Sequence, residues 1–192
     1  LREEIVAIDT PAGRFHADVV IAATGYEVDL QFAGDDILTQ SQQIDQMINS
    51  GVAVLLIASI DGASLSAQLD AAEAAGIPVI AYDRLLTNTE AVDMYIAYDN
   101  FQVGVLQGTA LLEGLEKSGK PSPWNIELIS GSPDDANSKP FFEGGMSILQ
   151  PKIDDGTLVV KSGQTDIAQT ATQGWKAENA QSRMDSLMTA NY

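Results

Sequence analysis

The chain of 192 residues contains no cysteine. That excludes disulfides, thiol catalysis and Cys-ligated zinc at once. It has one histidine, His16, with no clustered metal-ligating partner, and such a residue is ordinarily a satisfied surface or core side chain. No apolar run approaches the length of a membrane span. A basic, then apolar, then small-residue leader is not found at the start either, so export would imply that a signal peptide was removed or not included. Cations are scarce: 10 Lys and Arg against 27 Asp and Glu give a net charge of −17. Phosphates attract Lys and Arg, so this balance argues against a nucleic-acid surface. The catalytic signatures are missing as well, with no nucleophile elbow, Walker loop, HExxH or G-x-G-x-x-G. Asp134 and Asp135 are adjacent, whereas glycosidase carboxylates must flank a bond about 5–9 Å apart. The same pair lacks the alternating spacing of a calcium loop.

What remains is a hydrophobic fraction of 45%, ordinary for a globular protein, in a chain long enough for one core or two small lobes. Residues 1–25 stand apart. Ile5 to Asp9, Thr10-Pro11-Ala12-Gly13 and Arg14 to Thr24 read as strand, turn and strand, a β-hairpin. From Tyr26 onward strands and helices alternate. A half-buried strand is expected over 27–33, where Val28, Leu30 and Phe32 alternate with polar residues. A helix with Ile44, Met47 and Ile48 on one face ends at Gly51, and 52–58 is a continuous apolar strand. The next helix places Leu65, Leu69 and Ala72 at i, i+4 and i+7 and stops at Gly76. Strands follow at 77–82 and 94–98. This is the βα repeat of a parallel sheet.

Asp99-Asn100 marks a junction and caps a helix whose Val103, Leu106 and Ala110 are expected to face inward. A second series begins at Trp124 after a Pro- and Gly-containing break. It comprises a strand over 124–129, a helix carrying Phe142, Gly145, Met146 and Leu149, a strand over 157–161, and a last helix with Ala180, Met184, Leu187 and Met188. Two series joined near residue 100 imply two lobes, 26–99 and 100–192, with a cleft between them.

Ligands of open α/β sheets bind beyond the carboxyl ends of the strands. Three loops fall there: Ser59 to Gly62, Asp83-Arg84, and Ser130 to Asn137. A carboxylate beside a guanidinium can accept from and donate to a polyhydroxylated ligand; the alternative is an ion pair that closes a loop. The third loop offers Asp134, Asp135 and Asn137, with Asp135 and Asn137 the candidates for a ligand site. Capping of the following helix is the other role expected for at least one of the acids. Trp175 either packs over a helix or covers the apolar face of a pyranose ring.

The segments Val79-Ile80-Ala81-Tyr82-Asp83-Arg84-Leu85, Tyr98-Asp99-Asn100-Phe101-Gln102-Val103-Gly104 and Gly131-Ser132-Pro133-Asp134-Asp135-Ala136-Asn137 resemble the periplasmic sugar-binding receptors of ABC importers, in their multiple-sugar and xylose-binding branch. The likeness runs in order over residues 26–192. It implies a periplasmic-binding-protein type I fold, with two Rossmann-like α/β lobes closing on one monosaccharide without chemistry and without a cofactor. By carry-over, Asp83 and Arg84 bind sugar hydroxyls from the first lobe. Asn137 does so from the second, and Trp175 stacks on the ring. The family has two consecutive asparagines where this chain has Ala136-Asn137, and Ser138-Lys139-Pro140 also departs from its usual run. The implied setting is the periplasm. The implied partners are an ABC permease of the inner membrane and a sensor or chemoreceptor ectodomain. Measured against the family pattern, the fold is expected to be incomplete at both ends.

Residues 14–26 instead resemble the Ala-Thr-Gly strand segment of flavin-dependent monooxygenases, which suggests a foreign leader or, as an alternative function, a flavoprotein oxidoreductase. The effector core of a sugar-responsive repressor shares the two-lobe fold, and the acidic charge counts against it.

Overall fold

The computed structural model describes residues 28–192, together with the backbone of Ile5–Val6 (β1) and Val20–Ile21 (β2). β1 and β2 pair antiparallel, with Ile5 opposite Ile21, as a hairpin in this stretch requires. His16, the turn at 10–13 and the Ala-Thr-Gly segment lie outside the described residues.

Two parallel sheets follow, one wholly before Asn100 and one wholly after it. In the first, Leu55–Ile57 (β3), Val79–Tyr82 (β4) and Met94–Ile96 (β5) lie in the order β3-β4-β5. Leu55 pairs with Val79, and Ile80 with Met94. Ile37–Ser50 (α1) precedes β3, and Ser66–Ala74 (α2) runs between β3 and β4. α1 starts where the Asp36 side chain accepts from Thr39 N–H at 2.7 Å. It stops at Gly51, whose φ of 75° closes the helix through N–H bonds to the Met47 and Ile48 carbonyls. The spacing seen in the sequence is the packing: Ile44, Leu65, Leu69 and Ala72 are buried with Leu55, Ile57, Val79 and Ala81 in one core.

In the second sheet Trp124–Ile126 (β6) pairs with Leu158–Val160 (β7), Trp124 opposite Leu158. Around it are Asn100–Lys117 (α3), Ser138–Asp154 (α4), the short Ile167–Thr170 (α5), a 3-10 turn at Gln173–Trp175, and Ala177–Asn191 (α6).

Two expectations fail for physical reasons. The alternating stretch 28–33 is not a strand: Val28 and Phe32 are 44% and 55% exposed. Alternation sorts side chains onto two faces, but a strand also needs a ladder partner, and none lies beside this stretch among the described residues. The stretch is tied down instead by Gln43, whose Nε2 donates to the Phe32 carbonyl. On α3 the inward face is not Val103, Leu106 and Ala110. Gly104 and Gly108 are the buried residues, and Leu106 is 59% exposed. A Cβ at Gly104 would run into the Phe141 carbonyl, and one at Gly144 into the Phe101 carbonyl. The α3 and α4 backbones therefore meet through glycine, where an apolar side chain would hold them apart.

Candidate functional site

β4 ends on Tyr82, and the turn at Asp83 that follows is unusual. Asp83 adopts φ of 63°, while Arg84 N–H bonds back to the Tyr82 carbonyl at 2.7 Å. A positive φ at the centre of a γ-turn is the rarer, strained kind, and holding a non-glycine residue there costs about 1–3 kcal/mol. Such strain collects at sites where a side chain has to be aimed. Here the aimed group is Arg84. Its Nη1 donates to the Ile60 carbonyl, which joins the 59–62 loop to the site, and its Nε meets Asp135 Oδ2 at 3.0 Å.

Asp135 stands in the turn ahead of α4. Its Oδ1 accepts from Asn137 N–H at 2.9 Å, and its Oδ2 also accepts from Trp175 Nε1 at 2.9 Å. Neither acid of this loop caps the helix through the helical N–H groups, since the N-terminal position belongs to Asn137, which makes no side-chain cap. Asp135 orders the turn one step earlier, and Asp134 accepts from the Ser132 hydroxyl.

Asn137, buried, is the second junction. Its Nδ2 donates to the Asp83 carbonyl at 3.1 Å. Its Oδ1 accepts from Asn100 Nδ2 at 2.7 Å and lies 3.3 Å from the Tyr95 hydroxyl. Tyr95 OH is also 3.0 Å from the Asp83 carbonyl, so one phenolic proton serves two acceptors. Burial, and then the charges of Asp83 and Asp135, push the Tyr95 hydroxyl above the ordinary tyrosine range. The folded chain therefore keeps this proton at pH values where the unfolded chain has lost it. Stability from Tyr95 is complete below about pH 10 and falls as pH rises beyond it. Alkaline denaturation of Tyr95→Phe, compared with the parent, is expected to show a shallower loss above that pH.

Trp175 closes the group. The residue is 43% exposed, and its ring meets Phe141 of α4 edge-on, centroids 6.4 Å apart at 85°. Gly131 lies directly beneath the indole, where a Cβ would overlap the ring. Gly131→Ala is thus expected to push Trp175 out of place, costing about 1–3 kcal/mol of stability and shifting tryptophan emission to the red. The 130–137 loop is stitched to the tryptophan loop by Thr172 N–H to the Gly131 carbonyl (3.1 Å) and Gly174 N–H to Ser132 Oγ (2.7 Å).

All five candidates from the sequence, Asp83, Arg84, Asp135, Asn137 and Trp175, thus meet in one place, drawn from three loops. Asp83 takes part through its carbonyl, leaving an exposed carboxylate. Sequence reasoning missed Tyr95, Asn100 and the Ile60 carbonyl. Tyr95 looked like a strand residue and Asn100 like part of a cap, and the cap is in fact Asp99, which accepts from Gln102 N–H at 2.9 Å. The turn that carries Trp175 follows a mostly polar stretch of sequence after β7. Its signal was Asp166 and Gln169, whose reciprocal capping box starts α5.

The family model described as "Periplasmic binding protein domain" matches residues 17–192, and so takes in part of the leading hairpin. The multiple sugar-binding periplasmic receptor ChvE of Rhizobium radiobacter is 49% identical over 172 residues, covering 90% of this chain and 49% of the receptor. The D-xylose-binding periplasmic protein of Escherichia coli is 38% identical, over 87% of this chain and 47% of its own length. A solute-binding protein from Clostridium phytofermentans, solved with bound β-D-glucose, superposes with a TM-score of 0.82 at 46% identity, covering 88% of this chain and 52% of that one. A carbohydrate transporter solute-binding protein from Chloroflexus aurantiacus, in complex with D-glucose, gives a TM-score of 0.75 at 34% identity, covering 88% and 53%. The chain spans about half the length of the curated relatives it matches.

Proposed function

The chain belongs to the periplasmic binding protein family, with the parallel α/β architecture of its type I fold, and from that premise we propose that it binds one monosaccharide between two lobes, residues 26–99 and 100–192, for delivery to an ABC permease. The observation that carries the reading is the convergence of Arg84, Asp83 and Trp175. A guanidinium with donors to spare, an exposed carboxylate and a half-exposed indole stand together at the carboxyl ends of parallel strands. That set suits an aldose or sugar acid: hydroxyls both donate and accept, and the C–H face of a pyranose packs on an aromatic ring. Asn137 joins the two lobes beside it, through the Asp83 carbonyl and the Tyr95 hydroxyl. The role read here is binding without chemistry, as for the sugar-binding periplasmic relatives.

The periplasmic setting of the relatives supports a periplasmic location, and lobe closure offers a surface by which a permease, or a sensor or chemoreceptor ectodomain, tells loaded from empty receptor. Calorimetric titration with a panel of pentoses, hexoses and their acids tests the reading. Saturable binding of at least one, with a change in tryptophan emission, is the expected result. No heat from any of them at millimolar concentration rejects the ligand class.

A further inference from the structure

We propose that the open face of the first sheet is where a second copy of this chain docks, face to face, whatever the cleft binds. Side chains of successive strand residues point to opposite faces of a sheet. Leu55, Ile57, Val79 and Ala81 point one way, into the core that α1 and α2 cover. The alternate positions point the other way, and the strand register sets them side by side: Leu56 opposite Ile80, and Ile80 opposite Met94. Val54 and Ile96 extend this face along β3 and β5. Val54, Met94 and Ile96 are 41–55% exposed, and Leu56 and Ile80 are partly so. An antiparallel sheet that leaves one face to water carries polar residues there, whereas parallel sheets are covered on both faces. These parallel strands present an open face that is apolar, so its composition is that of a covered surface.

Size, shape and charge point to a second copy as the cover. With Tyr98, 81% exposed and two residues past Ile96, the face exposes on the order of 500 Å², at the upper end of what a monomer leaves open. Two such faces brought together bury about 1,000 Å², the area a specific interface has to clear. A sheet face, unlike a groove, can be its own complement: two sheets stack about 10 Å apart with their side chains interdigitated. The contact is then isologous, the same patch on both copies, and closes at two. The chain carries a net charge of −17, yet none of these six residues is charged. Like charges therefore meet only around the contact, where salt screens them. An uncharged face also offers no ion pair by which to select a charged peptide or a nucleic acid.

Sedimentation velocity of the full chain over a concentration series reads the dimer, and methionine oxidation by hydrogen peroxide reads the face. Met94 and Met188 of α6 are similarly exposed, at 55% and 50%. As the chain associates, Met94 is expected to lose its reactivity while Met188 keeps its own. Met94→Lys puts a charge within the face and is expected to raise the dimer dissociation constant about 10-fold or more. Leu106→Lys changes a comparably exposed apolar residue on α3 and is expected to leave that constant unaltered. At an ionic strength of about 1 M, where the Debye length is about 3 Å, the dimer is expected to tighten. A monomer at every concentration overturns the proposal, and protection of Met94 in that monomer assigns the cover to another segment of the same chain. A dimer in which Met94 stays reactive overturns it too, as does one that Met94→Lys leaves intact or that Leu106→Lys weakens equally, because another face is then in use. Weakening by salt points to ion pairs in place of this face, and growth past two copies rules out the closed contact. Should Met94→Lys fail to fold, the oxidation of Met94 relative to Met188 in the parent decides alone.

Discussion

Arg84→Ala is expected to abolish sugar binding and to lower stability by about 3 kcal/mol, because it leaves a buried carboxylate without its cation. The loss comes chiefly from Asp135. With Arg84 gone, its Oδ2 retains only the indole N–H, and its Oδ1 only the Asn137 amide. Two neutral donors do not compensate a full charge at a side chain that is 4% exposed. The 59–62 loop also loses its tie to the site, since the Ile60 carbonyl accepts from the same guanidinium. A lower urea midpoint with an unchanged slope, together with a flat sugar titration, is the expected pair of results. Arg84→Lys restores the charge without the planar fork, so it is expected to recover much of the stability and little of the binding. Full affinity in Arg84→Ala would remove Arg84 from the site.

The second large effect lies away from the ligand. Gly144→Ala is expected to cost at least about 3 kcal/mol, the upper end for overpacking, because the added methyl meets backbone rather than a side chain that can turn aside. The obstruction is the Phe101 carbonyl on α3, and Gly104 faces the Phe141 carbonyl reciprocally. The helices have to separate along the length where a Cβ at Gly108 would also crowd the Gly145 carbonyl and the Ile148 side chain. Asn100 begins α3 and Asn137 precedes α4, and the two side chains are bonded at 2.7 Å, so separation is transmitted to the site. Thermal denaturation of Gly144→Ala measures the cost. Gly114→Ala, an α3 glycine with open space around it, provides the comparison and is expected to be neutral or stabilising.

Much of this was legible from residue order. The i, i+4, i+7 spacing of Leu65, Leu69 and Ala72 identified three residues that are fully buried, and Gly51 ends α1 as its position implied. Patterns of this kind report on one element and its own core face. They failed where the partner decides the outcome. Val28, Leu30 and Phe32 alternate as strand residues do, yet no ladder receives them among the described residues. On α3 the apolar count pointed to Leu106, while the neighbouring helix selected the glycines.

The same division runs through the site. The sequence by itself determined the parallel α/β class and the carboxyl-end loops, because strand period, helix caps and loop position are local properties of the chain; the resemblance to the receptor family then singled out the five candidate residues. Tertiary structure alone decided what each candidate does. It turned the Asp83 carbonyl, rather than its carboxylate, toward Asn137, and it brought Tyr95 and Asn100 to the same amide. It also enclosed Asp135 among donors 51 residues back, two ahead and 40 ahead in the chain, taking 84, 137 and 175 from 135. No local pattern encodes which lone pair such distant donors will occupy. That is settled by packing, once desolvation makes an unpaired polar group too costly to leave.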